Sequence, residues 1–164
     1  MTVDPSTDVT VRAADFTSDL TEISALADRA AISMIRSTVF QIEQGVDAAL
    51  EFDGLDDQAV HFLAYLNTQP VGTLRIRVLD ADTAKLERLA VLSQFRKFGI
   101  GKKLMKTALE FLSNKGISEV RIHAQEAVRE FYQKLGFVAE GEQFEEAGIV
   151  HRKMSKRLFE PRSR

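Results

Sequence analysis

The stretch QFRKFGIGKK, residues 94–103, combines the residue types that a loop needs to hold an anion. Four of its ten residues are basic and two are glycines, and no acidic residue occurs between Ser93 and Leu109, although the chain has a formal net charge of -2. Glycine lets a ligand approach backbone amides closely, and the first turn of a helix offers unpaired N–H groups and partial positive charge. The stretch therefore predicts an anion-binding loop at a helix N-terminus. The alternative is a solvated basic surface.

Two common phosphate-binding motifs do not fit this stretch. A Walker A loop would need glycine at Arg96 and serine or threonine at Lys103. A dinucleotide-binding GxGxxG motif starting at Gly99 would need its third glycine at Leu104. The anion is therefore not predicted to belong to either of these ligand classes.

The remaining residues with reactive side chains give no metal or thiol site. The three histidines, His61, His123 and His151, have no spacing that suggests metal ligands. A lone histidine in a strand is more often a hydrogen-bonded core residue than a catalyst. The chain has no cysteine, which excludes disulfides, thiolate metal sites and a cysteine nucleophile.

Composition limits the class of protein. A chain of 164 residues with 45% apolar and 28% charged residues predicts one globular domain over residues 1–164. Its near-neutral charge does not suggest nucleic-acid binding. No apolar run is long enough to span a membrane, and the N-terminal stretch lacks the features of a signal peptide. We therefore expect a cytoplasmic protein without nucleic-acid or membrane partners.

The elements that must position these residues alternate between strands and helices. Apolar and polar residues alternate in VTVRA as in a short strand. Further strands are predicted at AVHFLAYLN, VGTLRIRVL, AKLERLAVL, EVRIHA, FVAEG and IVHRKMS, with a hairpin turn at TQP and with the apolar AKLERLAVL as a central strand. Apolar residues at helical spacing predict three helices. The first has Ile23, Leu26, Ala27, Ala30 and Met34 on one face, after a capping pair of Asp19 and Glu22. The second has Ile100, Leu104, Ala108 and Leu112 and ends at Gly116, and the third has Val128, Phe131, Tyr132 and Leu135 and ends at Gly136. A further short helix is expected in the acidic segment 41–58. This order predicts an α/β domain layered around a mixed sheet.

Two segments resemble known signatures. ERLAVLSQFRKFGIGKKLM resembles the acyl-CoA-binding signature of the GNAT superfamily, [QR]xxGx[GA], with Arg96, Gly99 and Gly101 at the matching positions. REFYQKLGFVAEG resembles the second signature of the superfamily, a helix ending in tyrosine followed by LGF. Further segments between residues 37 and 154 resemble the ElaA/YjcF-like branch, from which Val150 departs because IPH is more usual there. The resemblance implies the GNAT acyl-CoA N-acyltransferase fold, with a mixed central sheet of about seven strands and about four helices.

The same resemblance implies an acyl-CoA-dependent N-acyltransferase that moves acetyl from acetyl-CoA to a primary amine by direct attack in a ternary complex. The glycine loop would hold the pyrophosphate through its backbone N–H groups, from residues Arg96, Lys97, Phe98, Gly99, Ile100, Gly101 and Lys102. The pantetheine arm would pair with the preceding strand at Leu89, Ala90 and Val91, and Gln125 would bond to the arm. A backbone N–H of Ala90 or Val91 would polarise the thioester carbonyl.

Tyr132 matches the tyrosine that protonates the leaving thiolate in such enzymes. A thiol has a pKa of about 8.5 and a tyrosine about 10, so proton donation involves little mismatch. The alternative for Tyr132 is a core aromatic residue.

Glu87 is the candidate base, acting directly or through a water molecule. Strand alternation places Glu87, Leu89 and Val91 on one face, and a carboxylate on a central strand is costly unless it is paired or functional. The equal alternative is a structural ion pair with a nearby arginine: Arg75, Arg77 or Arg88.

The acceptor site is predicted less sharply. The resemblance implies contacts from Glu43, Gln44 and His151, although Glu43 and Gln44 are equally explained as caps of a loop. Acidic residues cluster in a first run (Asp47, Glu51, Asp53, Asp56 and Asp57) and a second run, predicted as the loop between the last two strands (Glu140, Glu142, Glu145 and Glu146). Two acidic runs at one mouth would favour a small cationic amine; the alternative is that both are solvated. The oligomeric state stays open, with a homodimer as one option.

Two other functions fit parts of the sequence. RSTVF, residues 36–40, resembles a motif of acyl-homoserine-lactone synthases, but that class lacks the full glycine loop. A non-catalytic acyl-CoA-binding regulatory module would use the same glycine loop, and the presence of Tyr132 and Glu87 argues against it.

Overall fold

Seven strands form one mixed sheet in the computed structural model, which describes residues 8–16 and 22–160. The strands are β1 (Val9–Ala13), β2 (Val60–Leu66), β3 (Gln69–Val78), β4 (Thr83–Val91), β5 (Glu119–Gln125), β6 (Val138–Glu146) and β7 (Ile149–Arg157). Their order across the sheet is β1-β2-β3-β4-β5-β7-β6. The predicted fold class and strand number are confirmed.

The described residues include four α-helices. These are α1 (Ile23–Arg36), α2 (Ala48–Glu51), α3 (Ile100–Asn114) and α4 (Arg129–Lys134). A π-helical segment, Ser37–Glu43, continues α1, and short 3₁₀ turns precede α3 (Ser93–Phe95) and α4 (Glu126–Val128). None of the helices in the described ranges is long and apolar enough to cross a membrane.

The parallel pairing in the sheet is short. β4 and β5 pair in parallel from Thr83↔Glu119 to Leu86↔Ile122, and both strands continue beyond this register. β7 pairs antiparallel with β5 along the whole of β5, from Glu119↔Arg157 to Gln125↔His151. β7 also pairs with β6, so the final hairpin is added beside β5.

The chain divides into two compact units. Unit 1 consists of the described residues up to Arg75 together with Arg88–Ala108, and unit 2 of Ile76–Glu87 together with the described residues from Leu109 onward. The single domain expected for residues 1–164 stays a prediction. Unit 1 has a core of buried apolar side chains from α1, the π-helical segment, β2, the end of β4 and the residue that follows it: Ile32, Ile35, Val39, Leu63, Ala90 and Leu92. In unit 2 the strand alternation of β5 is visible in its burial, since Val120, Ile122 and Ala124 are buried.

The inner face of α1 differs from the predicted face. Ile23, Leu26 and Met34 are exposed, whereas the buried residues are Ala25, Asp28, Ile32, Ile35 and Arg36. Asp28 is buried because the guanidinium of Arg12 donates to both of its carboxylate oxygens at 2.7 and 2.8 Å. A polar residue therefore occupies the inner face of α1, so the spacing of apolar residues alone did not indicate which face is buried. Of the predicted capping pair, Asp19 lies outside the described residues, and Glu22 makes no side-chain cap.

Two turns also differ from the predicted ones. The β2–β3 turn lies at 67–68, where Asn67 has a φ of 55°, and Pro70 already belongs to β3. The second acidic run is not a loop, because β6 extends through Glu146. The hairpin turn that follows consists of Ala147 and Gly148, with φ of 51° and 76°, as in a type I′ turn.

Candidate active site

The glycine loop of unit 1 joins β4 to α3. Gly99 has a φ of 72°, a left-handed conformation that favours glycine. Its carbonyl accepts the N–H of Lys103 at 3.0 Å, so Gly99 begins the hydrogen bonding of α3. The N–H groups of Ile100, Gly101 and Lys102 belong to the first turn, where a helix supplies no acceptors of its own. The predicted strand, glycine loop and helix N-terminus are therefore present in sequence order.

The start of α3 is anchored by close packing within unit 1. Ile100 and Leu104 are buried. A Cβ added to Gly72 on β3 would lie 3.0 Å from Leu104 Cδ1 and 3.1 Å from Ile100 Cγ2. Glycine at this position thus lets the first turn of α3 approach β3, which fixes where the loop amides lie.

The basic residues of the loop do not all serve the same purpose. The ammonium of Lys103 donates to the carbonyl of Val9 on β1 and so anchors a strand. The exposed Lys97, Lys102 and Lys106 make no ion pair within the described parts of the chain. These three lysines are the cations that remain for an anionic ligand.

Arg96 connects the glycine loop to the segment after α1. Its Nε donates to the carbonyl of Val91 at 2.9 Å, and its guanidinium pairs with Glu43 at 2.5 Å. Glu43 therefore contacts the glycine loop through Arg96. Gln44 is the C-cap residue of the π-helical segment, and its N–H donates to Val39 at 3.1 Å. The predicted roles of Glu43 and Gln44, as acceptor contacts or as caps of a loop, stay predictions.

The end of β4 is irregular. Arg88 has a φ of 57°, which is unusual for a residue other than glycine. Ala84, Leu86 and Ala90 are buried, whereas Glu87, Leu89 and Val91 are half-buried. That these last three residues share one face therefore stays a prediction. Ala90 is buried in the core of unit 1, so only its backbone is suited to meet the pantetheine arm.

A buried ion-pair network in unit 1 holds Arg88 in this conformation. Arg88 donates to the carbonyls of Leu50 and Glu51, both at 3.2 Å, and to Asp53 at 3.3 Å. The network contains three arginines and three carboxylates: Arg36, Arg75, Arg88, Glu51, Asp53 and Asp56. Arg36, Arg75 and Glu51 are no more than 2% exposed. The RSTVF stretch therefore begins with an arginine that stabilises the fold.

The first acidic run is largely neutralised by this network. Glu51, Asp53 and Asp56 belong to it, and hydrogen bonds from Arg75 hold the pKa of Asp53 well below its usual range. Asp47 caps α2 by accepting the N–H of Ala49 at 2.9 Å. Asp57 pairs with Arg29 at 3.1 Å. The run therefore supplies little net charge to attract a cation.

A cavity of about 400 Å³ lies beside the network in unit 1. Phe16 and Phe52 form apolar parts of its wall, and its charged lining consists of Arg29, Arg36, Asp56 and Asp57. The formal charges of this lining cancel, so the cavity has no preference for a cation by net charge.

Glu87 lies in unit 2 and is ion-paired there. Arg77 donates to both carboxylate oxygens at 2.9 and 2.8 Å, and Lys85 lies 3.2 Å from Oε1. The structural pair expected as an alternative is present, with Arg77 as its partner. Because both oxygens already accept hydrogen bonds, the geometry favours this role over that of a free base.

Tyr132 lies near the end of α4 in unit 2. Its ring makes edge contacts with Phe131 and Phe137 at centroid distances of 5.0 and 6.1 Å. Burial raises the pKa of Tyr132 to about 12. The phenol therefore keeps its proton at any physiological pH, as an acid must, but its mismatch with a thiol is larger than the sequence suggested.

His151 and Gln125 are brought together by the β5–β7 register. They are direct cross-strand partners, and Phe144 on β6 is the partner of His151 on its other side. The rings of Phe144 and His151 stack with centroids 5.9 Å apart. Directly opposite residues share a face of a sheet, so a residue predicted to bind the donor and one predicted to bind the acceptor lie on the same face.

Three further residues complete this face: His123 and Lys85, which were not predicted for the site, and Glu146, which was predicted only as part of the second acidic run. His123 Nδ1 lies 3.1 Å from Glu146 Oε1 and 3.4 Å from the ammonium of Lys85. Glu146 Oε2 lies 3.8 Å from His151 Nε2. The hydrogen bond from His123 lowers the pKa of Glu146 and keeps it ionised. The alternation of His123 with Gln125 was a usable signal, but the partner Glu146 depends on the β6–β7 register.

His61 has the structural role that was expected for a lone histidine. It is buried in unit 1, its Nε2 lies 2.9 Å from the carbonyl of Asp56, and its ring stacks on Phe16 at 4.0 Å. No group of three or more metal-ligating side chains is found among the described residues.

Comparison with known proteins places this geometry in a family. YjcF of Bacillus subtilis, described as an uncharacterized N-acetyltransferase, is 37% identical over 123 residues, which are 74% of this chain and 87% of YjcF. The crystal structure of Escherichia coli ElaA matches with a TM-score of 0.74 at 28% identity, covering 90% of this chain and 99% of that one. A GNAT family acetyltransferase from Elizabethkingia anophelis, solved with acetyl-CoA bound, shares the fold with a TM-score of 0.66 at 18% identity, covering 92% and 98%.

A family model described as an acetyltransferase (GNAT) domain matches residues 23–158, which is most of the chain. This range contains both segments on which the resemblance was based. ElaA and YjcF are the two proteins after which the predicted branch is named. The chain therefore belongs to the GNAT acetyltransferase family and to its ElaA/YjcF-like branch.

Proposed function

We propose that the protein is an acyl-CoA-dependent N-acyltransferase that moves the acetyl group of acetyl-CoA to a primary amine by direct attack in a ternary complex. The observation that carries the proposal is the loop at the start of α3. It combines the left-handed Gly99, three first-turn amides and the exposed Lys97, Lys102 and Lys106. Amides and cations together favour a pyrophosphate ligand. The E. anophelis relative, with acetyl-CoA bound on the same fold, supports this choice of donor.

The roles of the backbone follow from the end of β4. A pantetheine arm that pairs with residues 89–91 needs main-chain donors and acceptors. Ala90 offers these while its side chain stays in the core. An N–H of Ala90 or Val91 would then polarise the thioester carbonyl, where a preorganised donor is worth several kcal/mol. Gln125 would bond to the arm through its side chain.

Tyr132 is assigned the proton that the leaving thiolate requires. With a pKa of about 12, the phenol differs from a thiol of about 8.5 by roughly 3.5 pH units, or about 5 kcal/mol for complete transfer in the unliganded protein. The assignment therefore requires that the proton moves while the carbon–sulfur bond breaks, when the sulfur gains charge. It excludes prior formation of a tyrosinate.

Calorimetry with acetyl-CoA and a CoA-release assay with a panel of amines test the proposal. Gly101→Asp would place a side chain and a negative charge against the pyrophosphate, and we expect binding to be lost. The fold should be retained, because an acidic residue in the first turn of a helix is favourable. Ser113→Asp is a matched control that adds one negative charge to the exposed last turn of the same helix.

Undiminished acetyl-CoA affinity in Gly101→Asp would contradict the assignment of the loop. Binding of acetyl-CoA without CoA release for any amine would instead indicate the non-catalytic module. A requirement for an acyl-carrier protein would indicate the synthase.

A cationic acceptor remains part of the proposal, with narrower support. The first acidic run is neutralised in unit 1, so the preference must come from β6, whose Glu142 and Glu145 are exposed. We expect kcat/KM for a polyamine to exceed that for an acidic amine and to fall as salt rises, since exposed charges are screened over about 8–10 Å at physiological ionic strength. A preference for the acidic amine, or no dependence on salt, would contradict it.

A further inference from the structure

A row of polar side chains crosses unit 2 from β3 to β7. Polar contacts of 2.8 to 3.8 Å link its six members in the order Arg77, Glu87, Lys85, His123, Glu146 and His151. Five strands contribute to the row. It contains both the predicted base, Glu87, and the predicted acceptor contact, His151.

We propose that His123, positioned by Glu146, accepts the proton that the acceptor amine loses. This assignment rests on the proposed function, and it moves the role of base from Glu87 to a residue of β5. His123 lies two positions before Gln125 on the same face of the strand, about 7 Å away along the backbone. It therefore lies beside the residue expected to bind the donor, and on the face that carries His151.

The contacts of His123 leave the correct nitrogen available. Glu146 Oε1 is the nearer partner of Nδ1, at 3.1 Å, and an ionised carboxylate can only accept a hydrogen bond. Lys85 lies farther away, at 3.4 Å, and is closer to Glu87, at 3.2 Å. Nδ1 therefore carries the hydrogen in the neutral ring, and Nε2 presents its lone pair. A carboxylate that orients an imidazole in this way also stabilises the charged ring once it has taken a proton.

The other candidates on the row are less suited to this role. Arg77 donates to both oxygens of Glu87. His151 has a side chain only 9% exposed, and its Nδ1 lies 2.7 Å from the carbonyl of Ile149. The His123 side chain is 26% exposed, so it can meet a substrate.

The proposed step balances as follows. The amine nitrogen forms a bond to the acetyl carbon and the carbon–sulfur bond breaks, which gives the amide and CoA. The proton lost by nitrogen goes to Nε2 of His123, and the sulfur takes a proton from Tyr132. Exchange with water restores both side chains.

The charges that face His123 come from several strands. Lys85 and Glu87 approach from β4, Glu146 from β6, and His151 from β7. Lys153 is its cross-strand partner on β7, and Arg121 lies two positions away on β5. Base catalysis by histidine requires the neutral ring, so activity should fall on the acid side of the pH profile.

The tautomer of His123 can be measured without any activity. Nitrogen-15 NMR of the imidazole rings of the whole protein should show a hydrogen on Nδ1 and a bare Nε2 for the neutral His123. In Glu146→Gln the preference for this tautomer should weaken, since the carboxylate that selects it is gone. A hydrogen on Nε2 in the wild-type protein would overturn the proposal.

Kinetics with acetyl-CoA and an active amine provide the second test. His123→Gln should lower kcat by about 10²-fold or more, remove the acid limb of the pH profile and leave acetyl-CoA affinity within about twofold. Arg121→Gln is the control, because Arg121 is an exposed residue of the same strand that pairs with Glu119. Retention of kcat and of the acid limb in His123→Gln would overturn the proposal.

The failure of this proposal and that of the proposed function are distinguishable. Absence of turnover in the wild-type protein with every amine would count against the acyltransferase function. Wild-type turnover combined with the wrong tautomer, or with an active His123→Gln variant, would count against His123 alone.

Discussion

Replacement of Tyr132 by phenylalanine removes one hydroxyl and should separate catalysis from binding. The ring contacts with Phe131 and Phe137 would remain, so acetyl-CoA affinity and the fold should be unchanged. Loss of an acid that acts in the transition state usually lowers the rate by about 10²–10⁴-fold. We expect kcat to fall in this range.

The raised pKa of Tyr132 adds a second expectation, for the pH profile. At pH 9 an ordinary tyrosine with a pKa of about 10 would be about one-tenth ionised, whereas a pKa of about 12 leaves about one molecule in a thousand ionised. Ionisation removes the proton that must be donated. The alkaline side of the kcat profile should therefore show no decline from this residue up to about pH 10.

CoA release measured between pH 6 and pH 10, with acetyl-CoA at saturation, provides both the fall in kcat and the shape of the alkaline side of its pH profile. Tyr65 on β2, the other tyrosine of the chain, supplies a matched control, since its hydroxyl also has a hydrogen-bond partner, the guanidinium of Arg12 at 2.9 Å. Tyr65→Phe should retain full kcat. The reasoning would be refuted by wild-type kcat in Tyr132→Phe. It would equally be refuted by an alkaline decline centred near pH 10 that disappears in that variant.

Three further predictions concern stability. Glu51→Gln removes the buried carboxylate that pairs with Arg36 and leaves Asp56 as the other partner of this arginine. The uncompensated buried charge should lower the free energy of unfolding by up to about 3–5 kcal/mol in urea titrations. Glu130→Gln, in an exposed pair with Lys134, should cause no measurable change, and equal effects would contradict the role of burial. Burial lowers the pKa of His61 in the folded state, so the unfolded state binds more protons below about pH 6.5 and the free energy of unfolding should decline as the pH falls through that value. Urea titrations from pH 7.5 to 5.5 should show a weaker decline in His61→Gln. An unchanged dependence of stability on pH in this variant would exclude His61 as the source of the decline. Because Arg88 has a left-handed φ, Arg88→Gly should be more stable than Arg88→Ala by about 1 kcal/mol, the reverse of the usual order in a strand; the usual order in thermal unfolding would contradict the irregular conformation of β4.

Local patterns were enough to predict most elements of the fold. The alternation of β5 and the helical spacing of Ile100, Leu104 and Leu112 coincide with buried residues because each depends only on its own period. The prediction of the inner face of α1 was wrong because Asp28 is buried by a salt bridge with Arg12, which lies sixteen residues earlier in the sequence. The positive φ of Arg88 could not be predicted either, since arginine is not among the residue types, such as glycine and asparagine, that favour this conformation.

The candidate site divides in the same way. The glycine loop is a contiguous stretch, so its residues and their order could be predicted together. The pair formed by His123 and Glu146 depends on the order β5-β7-β6, which no local pattern specifies. Lys103 shows the limit of counting charges, because its ammonium reaches β1 instead of the loop.

The ion-pair network of unit 1 has a consequence for the order in which this unit assembles. Its charges come from the end of α1, from α2 and the loop after it, and from β3 and β4. An intermediate that docks α1 and β3 before Glu51 and Asp53 arrive would bury Arg36 and Arg75 without full compensation, at a cost of several kcal/mol. Such partly assembled states should be too scarce to accumulate. The backbone amides of these elements are therefore expected to exchange hydrogen with solvent through one common opening event. The network would thus make the segment that carries α2 unfold together with the rest of the unit.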